Sequence, residues 1–201
     1  MTSKYSKEQV RNLYGGRVEN LGTPIIPRSR RLWQKGDITD DSVLTFLVAD
    51  SLIACRGFNR TDICRRLIQC EDPRGGRQIY KLKDSQNPDF VAIDGSTNGS
   101  AIRIAGISIV YFDSPLLYPH IIDSCTLTHS ERESILGSLL VGYTYGEIMK
   151  GRSGELIKEN LLQNLHELGK AYHLEISGSQ LIKNLAFALI LSRKLTQRLN
   201  S

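Results

Sequence analysis

A chain of 201 residues with 40% apolar content can form one domain that buries roughly 70% of the surface its unfolded form exposes. A net charge of +5, from 26 basic and 21 acidic side chains, is compatible with a phosphate-bearing ligand but too weak and too poor in interleaved aromatics for a nucleic-acid surface. No apolar run is long enough to span a bilayer, a polar run follows Met1, and Cys55, Cys64, Cys70 and Cys125 lack any C-x-x-C spacing, so the expectation is a cytoplasmic chain with buried free thiols and no membrane contact.

Helical signals dominate along the chain. In SKEQVRNLYGG, Ser6 stands three residues before Gln9 as in a capping box, and Gly15 can supply a left-handed stop. A basic cluster, PRSRRLWQK (27–35), is followed by DSVLTFLVADSLIAC, a helix apolar on nearly all sides that belongs in the middle of a bundle. TDICRRLIQC makes a short third helix. From Glu71 to Ser96 the text is rich in Gly, Pro, Asp and Asn without a period and reads as a long surface connection.

The next stretch, NGSAIRIAGISIVYF, fits a strand by its β-branched content or a buried helix by its length. YPHIIDSCTLTH follows with Pro119 in a first helical turn, then SERESILGSLLVGYTYGEIMKG with Ser130 and Glu133 as a capping box and Lys150–Gly151 as a stop. Two more helices read as GELIKENLLQNLHELGKAY and SQLIKNLAFALILSRKLTQRLN, the latter with an apolar face from Leu181 to Leu199. The expectation is an all-α compact helical bundle, one domain over 1–201.

Three clusters carry possible chemistry. Thr39, Asp40 and Asp41 precede an apolar helix; they can cap its free N–H groups, or offer three hard oxygen donors to Mg2+ or Mn2+. In DGSTNGSAIR, the glycines and small hydroxyl residues can form an ordinary turn, or let backbone N–H groups approach a phosphate. His129, just ahead of a capped helix, can bond a neighbouring backbone group or touch a ligand.

In this order and spacing, GDITDDSVLTFLVADSLI, TNGSAIRIAGISIVYF and LTHSERESILGSLLVGYTYGEIMKG resemble the ADP-ribosylglycohydrolase family. The resemblance implies an all-α fold whose cleft binds ADP-ribose beside two Mg2+ or Mn2+ ions, and hydrolysis of the glycosidic bond between ADP-ribose and a protein side chain or small molecule. It places Thr39, Asp40 and Asp41 in the metal site, with Asp41 also catalytic. It places Gly95, Ser96, Thr97, Asn98 and Gly99 on the phosphate and ribose, and His129 in the pocket lining.

The family pattern also includes a Gly-Asp-rich first helix and a late Gly-Gly-Asp-x-Asp-Thr segment, whereas this chain has no Asp after Asp123. By that comparison the fold is incomplete, truncated at both ends. The expectation is then that half of the metal ligands are missing, that Mg2+ is bound weakly, and that exposed apolar faces favour self-association or a complementing chain. The alternative to a hydrolase is an inactive remnant that binds ADP-ribose or a partner chain.

Overall fold

A computed structural model describes residues 6–16, 36–70, 76–87, 89–186 and 188–189. The chain divides into two units, Met1–Thr39 and Asp40–Ser201. In the first, α1 (Lys7–Tyr14) has the capping box its sequence announces: Ser6 Oγ accepts from the Gln9 N–H at 3.1 Å, and Gln9 Oε1 accepts from the Ser6 N–H at 2.8 Å. Gly15, at φ 70°, ends the helix in the left-handed conformation that glycine adopts without steric penalty. The basic cluster 27–35 and the tail beyond 189 lie outside the described residues.

The second unit runs through α2 (Asp40–Cys55), α3 (Arg60–Gln69), α4 (Gly76–Ser85), a 3₁₀ turn (Ala101–Arg103), α5 (Ala105–Tyr111), α6 (Leu117–Thr126), α7 (Arg132–Met149) and α8 (Gly154–Ala171). Residues 180–186 are also helical, and no strand occurs among the described residues. The protein is therefore all-α, and the open choice at 98–112 resolves to helix. There Ile104, Ile107 and Ser108 are buried at helical spacing, against α2 and α7.

The centre of this unit is α7, not α2. Ser134, Ser138, Gly142 and Gly146 recur every fourth residue, all buried, and so form a stripe of small side chains along one face. That stripe lets α5, α6, α8 and the 3₁₀ turn pack against one helix; a methyl group at Gly142 would meet Ile121 Cδ1 at 2.2 Å. Helix α2 buries Leu44, Val48, Ser51 and Leu52 but leaves Phe46 and Ile53 58% and 76% exposed. Its all-round apolar sequence therefore overstates its burial.

Two further expectations change. The supposed long connection from 71 to 96 contains α4, held by Ile79 and Leu82, which are buried. One apolar i,i+3 pair between Gly- and Pro-rich flanks is too short to show a period. The capping box expected at Ser130 and Glu133 does not form, because Ser130 donates its N–H to the Asp94 carbonyl at 3.2 Å and α7 begins after Glu131.

Glu133 instead serves a different helix. Its carboxylate accepts the Ser179 hydroxyl at 3.0 Å and the N–H groups of Gln180 and Leu181 at 3.1 and 3.0 Å, satisfying donors that a helix start leaves free. Of the thiols, Cys64 and Cys125 are buried, Cys70 is half-buried and Cys55 is exposed, so the expectation of buried thiols fails at Cys55. Among the described residues no helix is long and apolar enough to cross a membrane.

Glu133 gives a pH-dependent prediction. Burial by itself would raise its pKa, but the hydrogen bonds from Leu181, Ser179 and Gln180 outweigh it and hold the carboxyl below the usual value of 4.5. Its contribution to stability is thus complete above pH 4.5 and disappears as pH falls through the lowered folded-state pKa. Glu133→Ala is expected to cost about 0.5–2 kcal/mol at neutral pH, and thermal melts against pH should show a shallower acid limb in that variant.

Candidate functional site

Within the second unit a cavity of about 570 Å³ opens between α2, the start of α4 and the loop that follows it. Its size is that of a small-molecule site. Asp40, Asp41 and Leu44 line it from α2, Gly76, Arg77 and Gln78 from α4, and Asp94 through Gly99 from the loop, with Ile102, His129 and Glu131 completing the wall. Asp40, Asp41, Gly95 to Gly99 and His129, separated by up to 89 positions (129 − 40) in sequence, thus share one cavity. Thr39 belongs to the first unit.

The loop is shaped by His129 beneath it. His129 is buried, with Nε2 2.8 Å from Thr97 Oγ1 and Nδ1 2.7 Å from Thr128 Oγ1. Both ring nitrogens are therefore engaged by hydroxyl groups. A Cβ at Gly99 would lie 2.9 Å from His129 Cε1, and one at Gly95 would lie 2.8 Å from the Thr128 carbonyl oxygen. Gly95 also has φ +113°, a region costly for any residue with a Cβ. Gly99 is needed because backbone passes directly over the ring, and Gly95 because it passes over the Thr128–His129 backbone.

From below, Ser134 Oγ of α7 lies 3.0 Å from the Gly95 carbonyl and 2.8 Å from that of Thr97, and can donate to either. The 3₁₀ turn is tied in turn by Ala101 and Ile102, whose N–H groups reach the Asn98 carbonyl at 3.0 and 3.3 Å. None of the backbone N–H groups of Gly95 to Gly99 donates to another group among the described residues. Five consecutive N–H groups in a loop that lines the cavity are thus uncommitted among the described residues.

Burial, reinforced by the Arg103 guanidinium, pushes the His129 pKa down from 6.5 to about 4. His129 is thus neutral at pH 7, and with both nitrogens bonded it acts as a prop rather than a proton shuttle. Lys81 Nζ lies 2.5 Å from Asp94 Oδ2, which holds that carboxyl below the usual range. Gln78 Oε1 is buried without a hydrogen-bond partner among the described residues.

The carboxylates raise the question of a metal ion. Asp40 and Asp41 stand in the first turn of α2 and supply hard oxygens, yet no group of three His, Cys, Asp or Glu able to hold a metal occurs among the described residues. Mg2+ demands near-octahedral oxygen ligation. The described donor set does not fit a resident ion pair.

The sequence pattern missed Gly76, Arg77 and Gln78, because α4 itself was invisible, and gave Glu131 no role. Asp94 was visible only as the edge of the glycine-rich stretch.

Two measurements test this geometry. Gly95→Ala and Gly99→Ala are each expected to lose about 1–3 kcal/mol of stability, read as a lowered midpoint in thermal or denaturant unfolding. Because the unfolded chain takes up the His129 proton near pH 6.5 and the folded one near pH 4, stability should decline as pH falls across that interval and level off below it. His129→Asn should remove that part of the slope.

Comparison with known proteins agrees with the all-helical fold. The ADP-ribosylglycohydrolase family model matches residues 2–199. The ADP-ribosylhydrolase ARH3 of Mus musculus is 28% identical over 172 residues, covering 75% of this chain and 45% of that protein. A solved structure titled ADP-ribosylglycohydrolase-related protein complex superposes with a TM-score of 0.57 at 25% identity, covering 83% of this chain and 59% of the other. The chain thus spans about half the length of the curated relative it matches. With an all-helical fold, three sequence blocks converging on one cavity and a family match along almost its whole length, the chain belongs to the ADP-ribosylglycohydrolase family.

Proposed function

We propose that the cavity binds ADP-ribose and that the protein is a hydrolase of the glycosidic bond joining ADP-ribose to a protein side chain or small molecule. The observation that carries this reading is the loop from Gly95 to Gly99, which lines the same cavity as Asp40 and Asp41 and whose five N–H groups are uncommitted among the described residues. A row of free amides suits the pyrophosphate of such a ligand. Gln78 Oε1, buried and lacking a donor, suits a ribose hydroxyl.

In the reaction, water attacks the anomeric carbon as the bond to the leaving group breaks. Asp41 is exposed on the cavity side of α2, where its carboxylate can take the proton that the attacking water loses, and the leaving group regains a proton. His129 contributes by holding Thr97 and the loop rather than by moving protons. Weak binding of Mg2+ or Mn2+ at Thr39, Asp40 and Asp41 belongs to this proposal, as half a site for which further ligands would come from elsewhere.

A second reading is binding of ADP-ribose, or of a partner chain, without turnover. It is favoured by the shortage of metal ligands among the described residues. Thermal unfolding with ADP-ribose separates the two from a failed reading. Ligand at 100 times its Kd should stabilise the folded chain by about 2.7 kcal/mol, with the midpoint raised accordingly, and no shift would refute the pocket assignment. Release of ADP-ribose from a modified peptide, reduced about 10²–10⁴-fold in Asp41→Asn, identifies the hydrolase, whereas binding without release identifies the second reading.

A further inference from the structure

Arg103 is fully buried at the end of the 3₁₀ turn that leaves the 95–99 loop. Its guanidinium has no carboxylate partner among the described residues. Nη2 donates to the Ser124 carbonyl at 2.5 Å, Nε lies 3.5 Å from Ser124 Oγ, and Nη1 lies 3.5 Å from the Gly99 carbonyl oxygen. Burial lowers its pKa to about 10, still far above neutrality, so the charge is retained.

A buried cation without a counter-ion is costly, and an apolar side chain of similar volume would fill the same space without that cost. Packing therefore does not account for Arg103. The rigid fork of a guanidinium can bridge two acceptors that neither an apolar side chain nor a single ammonium can hold together. One acceptor, Ser124, is in the last turn of α6, where carbonyls without helical partners and the helix dipole favour positive charge. The other, Gly99, is the final residue of the cavity loop. His129 and Ser134 hold the loop at Gly95 and Thr97, and nothing else described ties the carbonyl of Gly99.

We propose that Arg103 is a positioning residue for the cavity: its guanidinium pins the exit of the 95–99 loop to the C-terminal turn of α6, keeping the loop's N–H groups turned toward the ligand. The ligand part of this inference rests on the ADP-ribose reading above, while the pinning itself can be measured without any ligand.

The test compares the wild-type protein with Arg103→Met and Arg103→Lys, the second covering the case in which the first does not fold. Amide hydrogen exchange is followed at Ala101 and Ile102, whose N–H groups close the turn onto Asn98, with the amides of α8 as an internal reference. Exchange at Ala101 and Ile102 should accelerate by about tenfold or more in Arg103→Met with α8 unchanged, and by less in Arg103→Lys, which keeps the charge but reaches one carbonyl. The Kd for ADP-ribose should rise about tenfold in Arg103→Met. Unchanged exchange at the turn, or equal acceleration in α8, would overturn the proposal by showing no role or a purely global one. If the wild type fails to bind ADP-ribose, the pocket reading falls, and the exchange comparison still decides the role of Arg103.

Discussion

His129 lies between two hydroxyl groups, Thr128 on one ring nitrogen and Thr97 on the other, and the cavity loop is draped over its ring. Gly95 and Gly99 approach so closely that neither position can carry a side chain without displacing the histidine or the Thr128 carbonyl. Removing water from an imidazole favours its uncharged form, and a buried guanidinium nearby pushes the same way. A neutral ring with both nitrogens bonded is a rigid support. The loop above it is therefore fixed in place, which would limit the ordering cost of the proposed ligand binding.

That support is continuous with the core through α7. The small residues that let neighbouring helices close on α7 include Ser134 and Ser138, and these also satisfy polar groups of the loop and turn. Ser134 Oγ meets the carbonyls of Gly95 and Thr97, and Ser138 Oγ lies 3.0 Å from Ser100 Oγ. Helix packing and site geometry thus share the same side chains. A substitution chosen to fill the seam would press on both, since interiors at this density transmit strain.

Much of this was legible in the sequence, for identifiable reasons. The capping box at Ser6 and the left-handed stop at Gly15 are interactions among neighbours in the chain, so a short motif is enough to read them. The blocks around Asp40, Gly95 to Gly99 and His129 carry residue types at a spacing specific enough to show the family. By contrast, α4 rests on Ile79 and Leu82 alone, and the capping box at Ser130 failed because Ser130 is drawn to Asp94 and Glu133 to a helix nearly fifty residues on. Long-range competition of that kind leaves no trace in a local pattern.

The sequence by itself determined that the chain is helical and which family it belongs to, because these follow from periodicity, capping and motif content. Tertiary structure alone decided that α7 rather than α2 forms the centre, since burial depends on which neighbours have small enough side chains to approach. It also decided that His129 is a prop and that Arg103 sits unpaired beneath the loop. Desolvation and the direction of a hydrogen bond are properties of a packed neighbourhood, and no single stretch of chain contains them.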